Sequence, residues 1–323
     1  MSDPAPKTSV LRHVLTAFAP LVGLIAVCVL FAVLRFDTFV TRDNFSIIFQ
    51  QTAVIGVAAL GMTLVIIAGG IDLSVGSIIA LGTVVIALLL QEGHSPLVAA
   101  LGGVGASAIC GALSGLLITR LRLLPFVVTL GMMGALRGAA KGLAGEQPIY
   151  PDETWLNSLM QLGRTGGLPS GVWLMLGLAV LVALALRYTR FGRHVFAVGS
   201  NELTARLCGV PVERVKLLVY ILGGAFAGLG AVLQFAYLTG GDPTTAVGLE
   251  LNIIAAVVIG GASLAGGQGT ITGTLVGALI MSVVANGCTK LGLSNWVQEI
   301  VTGGIIIAAV LLDYFRRRNA EKA

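Results

Sequence analysis

The chain has 323 residues, 56% of them hydrophobic and only 11% charged, with mean hydropathy +0.95 and a formal net charge of +5. Soluble domains carry roughly 25% charged residues, so this composition belongs to a polytopic protein whose solvent is the bilayer. The longest polar stretches, residues 141–170 and 187–214, are too short for a separate catalytic domain. The basic residues sit beside apolar spans, where they orient helices, which excludes a nucleic-acid surface.

In chain order, the first apolar run, residues 14–34, follows Lys7, Arg12 and His13. It outlasts the apolar region of a cleavable signal and no small-residue cleavage site follows it, so it is expected to stay as the first transmembrane helix. Further helices are predicted at 46–68, 75–91, 96–118, 124–141, 171–187, 216–238, 247–264, 271–289 and 296–312, which makes ten spans with the first at 15–34. An even count places both termini on one side, and fourteen of the twenty Lys and Arg residues then share that side, which the positive-inside rule identifies as cytoplasmic. The other six are Arg35, Arg42, Arg137, Lys141, Arg164 and Lys290.

The segment GGIDLSVG, residues 69–76, interrupts the apolar pattern and has an echo near the other end of the chain. Gly69, Gly70, Leu73, Gly76, Gly82, Thr83, Val85, Ala87 and Leu88 recur as Gly260, Gly261, Leu264, Gly267, Gly273, Thr274, Val276, Ala278 and Leu279, all at an offset of 191. Two glycine-rich breaks in two halves are a transporter feature, because unwound backbone survives at membrane depth only where protein or a water-filled cavity satisfies it. The expected fold is therefore an all-α polytopic membrane protein of about ten transmembrane helices, with two repeat-related halves and broken helices near both glycine segments. Asp72 and Ser74 precede a helix and are placed to accept its free backbone N–H groups. The sharper expectation is that Asp72 holds the break closed; a plain helix cap is the alternative. Ser263 stands at the equivalent place in the second copy.

Neutral polar residues lie on or beside the spans, among them Asn44, Gln51, Asn252, Asn286 and Gln298, and they suit an uncharged polyhydroxylated solute better than an ion. Helix-to-helix hydrogen bonding accounts for them equally well. Arg137, inside the fifth span, is expected to snorkel to the interface. Small-xxx-small pairs, Gly111 with Gly115, Gly134 with Gly138, Gly224 with Gly228 and Gly273 with Gly277, predict close helix packing. The four cysteines at 28, 110, 208 and 288 have no metal-site spacing. The basic loop 187–216 contains a short helix over 201–207, capped by Ser200 or Asn201 and stopped by Pro211, in the form of a docking element or a solvated connector. No P-loop motif occurs, so energy from ATP would come from another subunit.

The blocks GMTLVIIAGGIDLSVGS at 61–77, GSNELTARLCGV at 199–210 and LNIIAAVVIGGASLAGGQGTITGT at 251–274 resemble the membrane-spanning permease subunits of bacterial ribose-type ABC sugar importers, in the wider branched-chain amino acid and sugar permease family. Arg137 and Gly138 ahead of Pro148 and Ile149, and IIIAAVLLDYFRRR at 305–318, extend the resemblance over nearly the whole chain. It implies one permease domain over 1–323, with a cytoplasmic N-terminus at 1–14, a coupling loop at 188–215 and a basic cytoplasmic tail at 314–323. It also implies an inner-membrane homodimer, cytoplasmic ATP-binding subunits that hold ATP and Mg, and a periplasmic binding protein that delivers a pentose or hexose. No cofactor or metal is expected on this chain, and no enzyme activity. By position, Glu202, Thr204, Ala205, Arg206 and Gly209 fall where the family's coupling helix meets the ATP-binding subunit. Glu202 stands one position early relative to the general importer motif, and Asn252 stands where an acidic residue is common. The gating set is Gly69, Gly70, Asp72, Ser74, Gly76, Gly260, Gly261 and Gly267, and the pathway set is Asn44, Gln51, Asn252 and Asn286. Competing readings are a permease for a branched-chain amino acid or nucleoside, an ion-driven secondary transporter, and a membrane scaffold or receptor.

Overall fold

The computed structural model describes residues 8–161 and 167–321; Lys7, Arg164 and Lys322, which entered the charge argument, lie outside the described residues. Thirteen α-helices occur among the described residues: α1 (Thr8–Leu34), α2 (Phe36–Phe39), α3 (Arg42–Ile67), α4 (Val75–Gln91), α5 (Pro96–Arg120), α6 (Pro125–Leu143), α7 (Ser170–Tyr188), α8 (Arg190–Ser200), α9 (Glu202–Leu207), α10 (Val212–Leu238), α11 (Leu249–Ile259), α12 (Ile271–Lys290) and α13 (Asn295–Glu321). Ten coincide with the ten expected spans, and α3, α5, α7, α10 and α12 are long and apolar enough to cross a bilayer. Hydroxyl caps start several of them: Thr41 takes the Asn44 N–H, Thr189 the Gly192 N–H and Thr270 the Gly273 N–H, at 3.1 to 3.2 Å.

The helices are not equivalent. Of the apolar window of α3, 89% is buried, against 39% for α5 and 33% for α7, so α3 is interior and the other two form the rim. Along α7 the exposed residues Trp173, Val180 and Leu184 recur at helical spacing, as do Val22, Val29 and Val33 on α1, and these stripes suit lipid or a neighbouring subunit.

Around α10, the contacts are made through glycine. A Cβ built at Gly224 would meet the Gly111 Cα of α5 at 3.0 Å, one at Gly228 the Val104 Cα at 2.7 Å, and one at Gly61 of α3 the Phe226 Cβ at 2.7 Å. The absent side chains let the backbones touch, which is how helices associate where no hydrophobic drive separates helix from lipid. Gly277 serves α12 against α11 in the same way, its Cβ position lying 3.1 Å from the Ala256 Cα. Gly134 and Gly138 on α6 differ, since among the described residues nothing beyond their own helix backbone lies within 4 Å of a built Cβ.

Both glycine breaks are only partly buried, with Asp72, Ser74 and Ser263 inside but Gly69, Gly261, Ala265, Gln268 and Thr270 exposed, and both begin with the same cap. Gly69, at φ +79°, ends α3 while Gly69 N–H bonds Ile66 O and Gly70 N–H bonds Val65 O, each at 2.9 Å. Gly261, at φ +94°, ends α11 with the equivalent bonds to Val258 O and, from Ala262, to Val257 O. The caps are thus 192 residues apart, while the turns that follow, Asp72 to Ser74 and Ser263 to Ala265, are 191 apart, so the second copy is one residue tighter. It also stays unwound longer: α4 starts at Val75, whose equivalent is Gly266, yet α12 starts only at Ile271. Gly266 and Gly267 occupy left-handed backbone there, at φ +88° and +75°.

Two expectations need correction, and one segment between predicted spans has a definite place. The predicted span 247–264 is the shorter α11, Leu249–Ile259, because the unwound residues on both sides take its ends. Residues 239–248 form an irregular segment that runs beside α4: a Cβ at Gly241 would meet the Ala87 Cβ at 2.6 Å, and one at Gly76 the Ala246 carbonyl at 2.5 Å. Lastly, residues 190–200 of the expected loop are helical, with Gly192, Val195 and Val198 buried on one face of α8. If glycine contacts set the packing, Gly224→Ala should lower stability by about 1–3 kcal/mol. Gly105→Ala, on the open side of α5, should be neutral or stabilising by up to ~1 kcal/mol. Thermal unfolding of the detergent-solubilised protein measures both, and equal effects would refute the packing account.

Candidate functional site

At the end of the bundle that carries α8 and α9, the two breaks meet. Gly267 N–H donates to the Ile67 carbonyl at 2.8 Å, so the second break supplies a partner for the last turn of α3. Gly199, at the end of α8, is wedged between them: a Cβ there would lie 2.7 Å from the Gly267 nitrogen and 2.8 Å from the Ile67 carbonyl carbon. One on Gly266 would lie 3.0 Å from the Gly69 Cα and 2.6 Å from the Gly199 oxygen. Three unwound or terminal backbones thus touch with no side chain between them. A little deeper, Thr63 Oγ1 of α3 and Thr274 Oγ1 of α12 share a hydrogen bond of 2.8 Å.

Asp72 is 3% exposed and its Oδ1 accepts from the Ser74 N–H at 2.8 Å and from the Ser74 hydroxyl at 2.5 Å. Ser74 is therefore a donor to Asp72 and makes no side-chain cap to α4, contrary to the expectation that either residue caps the helix. The pair closes a local turn directly after Gly69 and Gly70. In the second copy Ser263 Oγ accepts from Ala265 N–H and donates to Asp313 Oδ2 of α13 at 3.3 Å, tying that break to the last helix instead.

Just beyond Gly199 lies α9. Asn201 caps it, its Oδ1 accepting from Thr204 N–H at 2.9 Å, and Gly209 ends it in left-handed backbone at φ +82° with Val210 N–H bonded to Ala205 O. Ala205 is the one buried residue of the helix. Glu202 and Arg206 bind it to α10: Lys216 Nζ reaches Glu202 Oε2 at 2.5 Å, Arg206 reaches Glu213 at 2.6 Å and Glu202 at 3.4 Å. The hydrogen bond from Lys216, followed by the charges of Lys216 and Arg206, holds the Glu202 carboxyl below the usual carboxylate range, with partial burial opposing. Arg206 is pushed up, first by its bond to Glu213. The other face shows Leu203 and Leu207, 69% and 81% exposed, pointing away from the bundle.

Toward the far end, α11, α12 and α13 enclose an open cavity of about 540 Å³ whose polar lining includes Glu250, Asn252, Asn295, Gln298, Glu299 and Thr302. Of the four expected pathway residues, Asn252 lines it. Asn44 is buried and donates to Phe39 O at 2.9 Å, tying α3 to α2; Gln51 and Asn286 sit in the packing with a side-chain oxygen unpartnered. The lining is also less neutral than the span pattern suggested, since Glu250 and Glu299 both contribute. Glu250 was hidden because it opens α11 within an apolar stretch, and the change of pattern at residues 248–252 was the available signal.

Comparison with known proteins places this geometry. Residues 44–310 match the family described as branched-chain amino acid transport system, permease component. The chain is 41% identical over 297 residues to the ribose import permease protein of Escherichia coli K12, covering 90% of this chain and 92% of that protein. It is 37% identical over 310 residues to the ribose import permease protein of Bacillus subtilis 168, covering 95% of each. With the L-arabinose ABC transporter permease protein of Azospirillum brasilense it shares 38% identity over 294 residues, 90% of this chain and 86% of that one. No solved structure matches. The chain belongs to the branched-chain amino acid transport system permease family, in its ribose-type ABC permease group.

Proposed function

We propose that this protein is the membrane-spanning subunit of an ATP-driven importer that passes a monosaccharide, a pentose or hexose, through the inner membrane. The relatives named for ribose and arabinose support the substrate class. The lining of the cavity supports it too, since amides, a hydroxyl and carboxylates offer many acceptors and donors to a polyhydroxylated solute. The two chain termini and α9 face the cytoplasm in this reading, which the distribution of Lys and Arg supports. A second copy of the chain completes the route, cytoplasmic ATP-binding subunits carry ATP and Mg, and a periplasmic binding protein delivers the sugar.

The observation that carries this reading is the backbone contact of Gly199 with Ile67 and Gly267. An ATP-binding partner that seats Leu203 and Leu207 of α9 in an apolar groove would displace α8, and α8 cannot move without moving both breaks. Glu202, Arg206, Glu213 and Lys216 make α9 and the start of α10 one body, so a push on the exposed leucines is delivered to a long interior helix instead of being lost in a loose loop. Asp72 and Ser74 keep the first break in a single folded turn during that movement.

Reconstitution with the ATP-binding subunit and the binding protein in proteoliposomes tests the reading. ATP-dependent accumulation of a labelled pentose or hexose is expected; accumulation of a branched-chain amino acid or nucleoside instead, or uptake collapsed by ionophores and indifferent to ATP, would sink it. In the same assay Gly199→Ala and Gly209→Ala should retain ATP hydrolysis while uptake drops roughly ten-fold, the equivalent of about 1.4 kcal/mol. Normal uptake by both would remove the coupling role. A separate check concerns the ion pairs of α9. Because the folded Glu202 carboxyl lies below its ordinary value of about 4.3, its contribution is complete above that value and is lost as pH falls through the folded one. The protection factors of the amides at residues 202–209, with the intrinsic pH dependence of exchange divided out, should therefore be flat from about pH 5 to 8 and fall below about pH 4. Salt at ~0.5 M should lower them in the range from about pH 5 to 8, where the pairs are charged, because these pairs are partly exposed.

A further inference from the structure

Residues 239–248 are an irregular stretch between two packed helices. Thr239 and Ala246 hold left-handed backbone at φ +58° and +59°, conformations that cost roughly 1–2 kcal/mol each outside glycine, and Gly248 follows at +77°. Such a segment persists only where its surroundings over-determine it. At its start it is fixed by Ile149 and Gly241, which exchange both backbone bonds at 2.8 Å. Its middle is held from α6: Arg137 Nη1 donates to Pro243 O at 2.9 Å and to Thr245 O at 2.6 Å, while Gln234 of α10 donates to Thr245 Oγ1 at 2.9 Å. The far end runs directly into the first turn of α11, where Glu250 accepts from Gly248 N–H and lies over Gly76 of α4. Arg137 therefore turns inward, and the expectation that it snorkels to the interface fails because two carbonyls with no helical partners lie within its reach.

We propose that Arg137 is the positioning residue of the solute cavity. By gripping Pro243 and Thr245 it fixes the height at which α11 begins, and hence where Glu250 and Asn252 stand in the cavity wall. A guanidinium suits the task because it stays charged and offers several donors in a fixed plane. A segment whose carbonyls lose that partner must find water or rewind, and either response moves α11. The transport consequence rests on the cavity being the solute route, whereas the grip itself does not.

The test uses the whole transporter in proteoliposomes, with Cys28, Cys110 and Cys208 replaced and the buried native Cys288 of the cavity wall kept as the reporter, read by a membrane-impermeant maleimide. Arg137→Gln should label roughly ten-fold faster than its parent, the scale expected for loss of charged hydrogen bonds, with Arg137→Lys in between. Maximal sugar uptake should fall in the same order while the half-saturating concentration of loaded binding protein stays put. Unchanged labelling in Arg137→Gln overturns the proposal. Altered labelling with undiminished uptake keeps the positioning role and instead sinks the cavity as the route. If Arg137→Gln does not accumulate, Thr245→Val, which removes only the parallel Gln234 bond, must still raise labelling; no rise overturns the proposal as well.

Discussion

The structure depends on one constraint: backbone that leaves the helix inside a bilayer must find its hydrogen-bond partners within the protein. Three segments do so here by different means. The break after α3 uses Asp72 as a local acceptor. The break after α11 lends its own N–H to the last turn of α3 through Gly267 and Ile67. Residues 239–248 borrow the guanidinium of Arg137. The first solution is internal to its own turn, the second ties its break to the end of α3 and the third ties its segment to α6, so each irregular stretch has its polar backbone satisfied in its own way.

Close approach of backbones makes these solutions geometrically available. Glycines on α3, α5 and α10 bring those helices into contact, and the same residue type at 199, 266 and 267 brings α8 against both breaks. The consequence is mechanical. A close-packed interior transmits strain, and carbonyls and α-carbons in direct contact leave no side chain between them to change rotamer. A movement at α9 therefore reaches the interior by contact, and the ion pairs from Glu202 and Arg206 to α10 keep that path stiff. Those pairs contribute little to stability because they are half exposed. Their role is to set geometry.

The two halves are related but not equal, and the inequality falls where the function would need it. The first break is short, carries a carboxylate and is followed at once by α4. Its counterpart is unwound through Thr270, carries a hydroxyl and is tied to Asp313 of α13. One half is thus a compact turn and the other an extended strap, and α11, suspended between the strap and residues 239–248, is the short helix that presents Glu250 and Asn252 to the cavity.

Much of this was legible in the residues alone, because a bilayer leaves few options: apolar runs of span length become helices, and the ten expected spans match ten of the helices. The repeat was visible as nine identities at one offset, and the start of α9 was visible as a cap at Ser200 or Asn201, of which the structure uses Asn201, while Gly209 ends it ahead of the expected stop at Pro211. Tertiary structure decided the rest. The grip of Arg137 on Pro243 and Thr245 joins residues more than a hundred positions apart, and nothing local distinguishes it from a snorkelling arginine. Residues 190–200 looked like loop because their apolar face is short and basic residues dominate; burial against the bundle makes them helical. Which glycines touch was equally hidden, since Gly134 and Gly138 have the same spacing as Gly224 and Gly228 yet meet nothing. Local hydrogen bonding and hydrophobic period determined the helices and their caps; which backbone meets which is a property of packing, and packing exists only once the chain is folded.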